Sequence, residues 1–148
     1  MDYHAFTLTE KSVVKRLRTK LYIFKKYTSG QELEESQRYV GIWDTGATET
    51  CITHKVVSDL GLTPSHTTTL STAGGDNEVN VYCIDVMLPN NVVLTDVIVT
   101  EVHLTDGDVL IGMDVISQGD FSVTNYNGNT KLSFRIPSCR HIDYVEED

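Results

Sequence analysis

Ile42-Trp43-Asp44-Thr45-Gly46-Ala47-Thr48 is the stretch on which the fold turns. The apolar, β-rich residues Tyr39 to Trp43 predict a strand that carries a carboxylate, Asp44, into a tight turn. Thr45 offers a hydroxyl, Gly46 lets the backbone turn or approach another chain closely, and Ala47 is small. Alone, Asp-Thr-Gly is a weak signal. An aspartate at a strand end commonly closes an ordinary turn, here by accepting the amide hydrogen of Gly46 or Ala47.

Working outward, most of the chain alternates with period two. Strands are predicted at His4 to Leu8, in the second half of Val13 to Tyr27, and at Thr67 to Leu70, Val79 to Leu88 and Val92 to Val99. Further strands follow at Val109 to Ile111, Phe121 to Asn125 and Lys131 to Ile136. A basic amphipathic helix over Val13 to Leu21 is the alternative reading of that segment. Ile52, Val56, Val57 and Leu60 have near-helical spacing, with Thr53 as a candidate N-cap, Gly61 as the stop and Pro64 beyond it. Gly112 opens a second short helix, Met113 to Ser117. Ser71-Thr72-Ala73-Gly74-Gly75-Asp76-Asn77 is a polar tip between two strands, and Asn127-Gly128-Asn129 signals a hairpin. Many short strands with two short helices describe a small, mainly β, barrel-like domain.

Composition narrows the function classes. The 148 residues fit one domain and leave no room for two full ones. With 21 Asp and Glu against 12 Lys and Arg, the net charge is −9, which disfavours nucleic acid and anionic membranes as partners. No apolar run approaches the ~20 residues needed to span a bilayer, and the first ten residues lack the apolar core of a signal peptide. Cys51, Cys83 and Cys139 lie far apart, which disfavours a disulfide scaffold and leads to the expectation of a reducing, cytoplasmic location.

A second motif raises the weight of the first. Val109-Leu110-Ile111-Gly112 is an apolar run, then Gly, then a helix, and a Gly-bearing hairpin lies between it and Asp44. In this ordered combination the chain resembles the retropepsin-like aspartic proteases, and most of all their small prokaryotic and phage-type members. The resemblance implies an all-β acid protease barrel with one or two short helices, one lobe per chain, assembled as a two-fold homodimer. It covers about residues 20–137, leaving 1–19 as an N-terminal strand and extension and 138–148 as an acidic tail.

Carried over position by position, the resemblance makes Asp44 the catalytic aspartate. Thr45 becomes the hydroxyl that braces the two active-site loops, and Gly46 and Ala47 complete the turn. The residues Ser71, Thr72, Ala73, Gly74, Gly75, Asp76 and Asn77 become the flap that closes over substrate. Ile111 and Gly112 become the element packed beneath the active-site loop. The resemblance implies no metal and no cofactor. Two departures stand out. Trp43 is bulkier than the residue that viral members place before the aspartate. The acid-to-arginine pair of viral members is missing, since Glu49 follows Gly46 by three but Met113 follows Gly112.

The chemistry also follows from the carboxylates themselves. Peptide hydrolysis needs two of them beside one water: an ionised one to take the water's proton and a protonated one to polarise the carbonyl. Carboxylates about 3 Å apart cannot both ionise, so the pair shares a proton. The chain holds a single Asp-Thr-Gly; neither Asp106-Gly107-Asp108 nor Asp114-Val115 repeats it. The second carboxylate is therefore expected from a second copy across a two-fold axis. Cofactor-free peptide hydrolysis by a homodimeric endopeptidase is the resulting expectation. The alternatives are an idle domain of the same fold used for peptide binding or dimerisation, and a β-barrel binding module with a fortuitous Asp-Thr-Gly. Cys51 and His54 form a Cys-x-x-His without a second metal pair, and Cys51 and Cys83 are expected as small core residues. Asp114 is expected to cap or brace its helix, and Trp43 and Phe121 to lie in the core.

Overall fold

A computed structural model describes residues 2–147; Met1 and Asp148, the outer ends of the expected extension and tail, lie outside the described residues. The chain begins with β1 (His4–Thr9), β2 (Arg18–Phe24), β3 (Arg38–Trp43), β4 (Cys51–Ile52) and α1 (His54–Leu60). There follow β5 (His66–Thr72), β6 (Gly75–Met87), β7 (Val93–Glu101) and β8 (Val109–Ile111). It ends with α2 (Met113–Ile116), β9 (Asp120–Thr124) and β10 (Lys131–Ile136). The fold is mainly β with two short helices, as the period-two patterning implied.

Seven strands form one sheet in the order β2-β3-β8-β4-β7-β6-β5. The first half of β2 pairs with β3 and its end, Tyr22 to Phe24, pairs with β6. This second pairing closes six strands into a barrel and leaves β5 outside it. Alternation in β3 shows how the sequence builds the wall: Tyr39, Gly41 and Trp43 face the core, while Arg38, Val40 and Ile42 face outward. Leu21, Ile23, Ile52, Val56, Ile84, Val99 and Val109 fill the interior at 0% exposure. Each such side chain contributes roughly 1.5–3 kcal/mol. Gly41 is needed for space, because a Cβ there would lie 2.6 Å from Leu21 and 2.8 Å from Ile111 side-chain carbons.

Beside the barrel, β1, β10 and β9 form a three-stranded antiparallel sheet. Phe6, Phe134 and Phe121 are cross-strand partners in it, so three aromatic rings line up in one row. Trp43 packs on that row at 5% exposure and donates its Nε1 hydrogen to Thr19 Oγ1 at 2.8 Å. Trp43 is therefore a core residue, and partly buried Phe121 packs against that core.

Several local expectations change. Residues 13–17 are irregular and β2 starts at Arg18, so the basic helix over Val13 to Leu21 does not form. Thr53 stands at the N-cap position of α1, but its hydroxyl donates to the Asp108 carbonyl and not to its own helix. Gly61 ends α1 in the left-handed region at φ 62°, the expected exit. Cys83 is exposed on β6 rather than buried, because it sits on the outer face opposite Ile98, itself 52% exposed. The long strand β6 is interrupted by a bulge between Ile84 and Val86, where Asp85 accepts the amide hydrogens of Tyr27 and Asp96.

Candidate active site

Asp44 stands one residue past β3, and its amide continues the pairing with β8 by donating to the Ile111 carbonyl at 2.9 Å. Alternation from buried Trp43 places it on the outer face with Ile42 and Leu110. The turn closes as an aspartate at a strand end commonly closes one: the Gly46 amide donates to Asp44 Oδ1 at 2.8 Å and the Ala47 amide to the Asp44 carbonyl at 3.2 Å. That contact holds one carboxylate oxygen. Asp44 Oδ2 makes no hydrogen bond within the chain among the described residues.

Beneath this turn the second motif is drawn in tightly. The Met113 amide donates to the Ala47 carbonyl at 2.8 Å, and the Gly112 amide to Thr50 Oγ1 at 3.2 Å. A Cβ on Gly112 would lie 2.6 Å from the Glu49 carbonyl carbon and 2.7 Å from its oxygen, so only glycine fits. The structure thus brings Asp44, Thr45, Gly46 and Ala47 together with Ile111 and Gly112. Thr45 is exposed, and its hydroxyl has no hydrogen bond within the chain among the described residues.

Asp114 does more than serve its own helix. Its Oδ1 accepts from Thr50 Oγ1 at 2.8 Å and from the Val115 amide, and its Oδ2 accepts from the buried Thr50 amide at 3.1 Å. The carboxylate ties α2 to the end of the Asp44 loop. No sequence signal marks Thr50 as its partner. Glu49 and Met113 are both exposed, and the uncharged Met113 side chain offers Glu49 no ion-pair partner.

The hairpin at 71–77 lies at the far end of the seven-stranded sheet, and among the described residues no hydrogen bond joins it to residues 44–47. Pairing runs further than expected, through Ser71 with Asp76 and Thr72 with Gly75, so the tip narrows to Ala73 and Gly74. Side chains extend the ladder: Ser71 Oγ donates to Asp76 at 2.7 Å and Thr67 Oγ1 to Glu78 at 2.7 Å. Gly75 takes φ 113°, while Gly74 stays outside the left-handed region.

An open groove of about 890 Å³ lies between one face of this hairpin (Leu70, Thr72, Asn77, Val79), the start of α1 and the segment 101–108. Asp44 does not line it. Glu101, which lines the groove, accepts from the buried Tyr82 hydroxyl at 2.8 Å, and His54 Nδ1 lies 3.1 Å from the same carboxylate. Burial pushes the Glu101 carboxyl up, but the hydrogen bonds from Tyr82 and His54 outweigh it and leave the group below its ordinary value.

The His54 ring is engaged by Glu101, and no group of three metal-binding side chains occurs among the described residues. Burial pushes the Cys51 thiol up, the Thr100 hydroxyl pulls it down less, and Glu49, Asp114 and Asp44 raise it further. A thiol raised in this way is a poor nucleophile.

Comparison with known proteins agrees with this geometry. Residues 35–118 match the family model for the gag-polyprotein putative aspartyl protease. The chain is similar in structure to a retropepsin-like aspartic protease from Rickettsia conorii, at TM-score 0.58 and 12% identity, over 91% of this chain and 96% of that one. It also resembles simian foamy virus protease (TM-score 0.47, 18% identity, 68% and 92% of the two chains). A third similarity is to EIAV protease bound to an inhibitor (TM-score 0.49, 16% identity, 70% and 86%). The Rickettsia structure carries the fold assignment, that of a retropepsin-like barrel. No curated protein matches the chain.

Proposed function

Because this chain belongs to the gag-polyprotein putative aspartyl protease family, we propose that it is an endopeptidase that works as a homodimer, one Asp44 from each copy. The observation that carries this is the state of the Asp44 carboxylate. Gly46 orients one oxygen and leaves the other available for a water and a second carboxylate. With one Asp-Thr-Gly per chain, that second carboxylate comes from the partner copy.

In the assembled pair, one Asp44 is ionised and accepts a proton from the water as the oxygen attacks the scissile carbonyl carbon. The other is protonated and donates toward the carbonyl oxygen, where negative charge develops. In this reading the exposed Thr45 hydroxyl braces the loop of the partner copy. The 71–77 hairpin closes over an extended peptide, adding backbone hydrogen bonds and excluding water.

The test is a peptide-library cleavage profile of the wild-type chain beside Asp44→Asn. Asparagine keeps an Oδ1 acceptor for Gly46, so the turn survives while the shared-proton pair is lost. Cleavage is expected to vanish with the circular dichroism spectrum unchanged. Cleavage retained by the purified variant, or full specific activity in a sedimenting monomer, overturns the proposal.

A further inference from the structure

Arg18, Ile42, Leu110 and Cys51 are successive cross-strand partners over β2, β3, β8 and β4. They form one row on the outer face of the barrel wall, and none of the four is buried. The same face carries Asp44. The link is close at the Arg18 end, because the Trp43 amide donates to the Leu17 carbonyl at 2.9 Å, between Arg16 and Arg18. Ile42 and Leu110 therefore give an apolar strip beside the carboxylate, with cations at its end.

Those cations are under-neutralised. Arg16 Nη1 and Arg18 Nη2 both donate to a single oxygen, Asp106 Oδ2, the former at 2.9 Å. Two guanidinium charges meet one carboxylate, and their side chains remain 58% and 51% exposed. The two arginines also line an open groove of about 440 Å³ with Lys15, in which Glu10 is the one acid. Seven of the chain's 12 Lys and Arg fall within residues 11–26, all seven exposed, with no acid between Glu10 and Glu32. In a chain of net charge −9 this segment concentrates the positive charge, and its Arg16–Arg18 part adjoins the strand end that leads into Asp44.

We propose that Arg16 and Arg18 form a specificity subsite for an acidic side chain of a polypeptide substrate, with a neighbouring substrate residue lying on Ile42 and Leu110. The proposal rests on the protease reading above. Each guanidinium has five N–H donors in a planar fork, and Asp106 takes one from each. The remaining donors suit a second carboxylate, and a charge-assisted bond of this kind is stronger than a neutral one. A peptide carboxylate fits better than a nucleic acid, because the surrounding negative charge repels a polyphosphate chain.

The test uses the full chain carrying Asp44→Asn, so that peptides bind without being cut, and a peptide set with Glu or Gln substituted at each position in turn. At one or more positions Glu is expected to bind about tenfold tighter than Gln at low salt, the advantage shrinking as salt rises. The Glu-over-Gln ratio should fall to about one in Arg16→Gln/Arg18→Gln. It should rise in Asp106→Asn, which removes the competing negative charge from both guanidinium groups and gives a gain that misfolding cannot mimic. In the active chain, the kcat/KM ratio for the same peptides should follow the same order. Equal binding of Glu and Gln peptides at every position, or no rise in Asp106→Asn, overturns the proposal, as does single-stranded RNA displacing the Glu peptide at physiological salt. A Glu preference in binding with no cleavage by the wild-type chain keeps the acidic subsite and sinks the protease reading instead.

Discussion

Trp43 lies flat against Phe121, ring centroids 5.4 Å apart and planes 11° from parallel, so β9 supports the residue that immediately precedes Asp44. Phe134 and Phe6 complete the seat at 5.1 and 5.8 Å. The indole is pinned at its other edge by Thr19. A side chain held on every side fixes the backbone that presents Asp44. Trp43→Ala is expected to destabilise by roughly 3–5 kcal/mol, the range for emptying a buried aromatic site. Trp43→Phe keeps most of the packing but strands the buried Thr19 hydroxyl, which costs about 1–3 kcal/mol. Urea denaturation of both variants, followed by circular dichroism, checks the order.

Asp114 is the clasp of the loop that follows Asp44. Removing it in Asp114→Ala leaves the buried Thr50 amide and hydroxyl without their acceptor. A loss of about 1–3 kcal/mol follows, with a fall in kcat from a loosened Asp44 turn. Asp114→Asn keeps one oxygen acceptor and should fall between wild type and alanine in both measurements.

Glycine substitutions separate close approach from open space. Gly112→Ala drives a Cβ into the Glu49 backbone, which cannot swing away. Gly41→Ala meets the Leu21 and Ile111 side-chain tips at similar distances, and these can rotate. Gly112→Ala should therefore lower the melting temperature more than Gly41→Ala, and only the former should also displace Asp44 and abolish cleavage.

Gly74 and Gly75 differ in the hairpin tip. Gly75 sits at φ 113°, where a β-branched residue is strained by about 1–3 kcal/mol. A Cβ on Gly74 meets only Thr72 Oγ1, at an ordinary 3.8 Å. Gly75→Val should slow turnover and raise KM well beyond the effect of Gly74→Val, with a loss of global stability no larger than that strain because residues 71–78 are all exposed. Equal kinetics in the two variants would contradict the hairpin's role as a flap.

Asp120 sets an acid limit on stability. The Cys139 amide and the Ser138 hydroxyl lower its carboxyl well below the ordinary range, burial opposes them, and Arg135 and the Arg140 amide add to the lowering. A depressed folded pKa means that the contribution is whole above the unfolded value near ~4 and is lost as pH falls toward the folded value. Asp120→Asn should therefore lower the urea midpoint at pH 7 and at pH 5, with the gap to wild type closing below about pH 4.

How much of this was legible in the chain depends on the range of the interactions. Alternation is a local property, so Tyr39 to Trp43 and Lys131 to Ile136 declared themselves as strands. So did the turn chemistry of Asp44-Thr45-Gly46 and the stop of α1 at Gly61. The sequence by itself therefore determined the barrel class, the carboxylate that ends β3 and the apolar-Gly element below it. Tertiary structure decided the rest. The ends of β5 and β6 pair further than their polarity suggests, because Ser71 and Asp76 bond across the ladder. Cys83 faces solvent because β6 and β7 present that register to the outside. Thr50 meets Asp114 across 64 residues, and Arg18 meets Asp106 across 88. Contacts at such separations follow from which strands pair and in what register, and the barrel closure that sets those registers is a property of the whole chain and of no single segment.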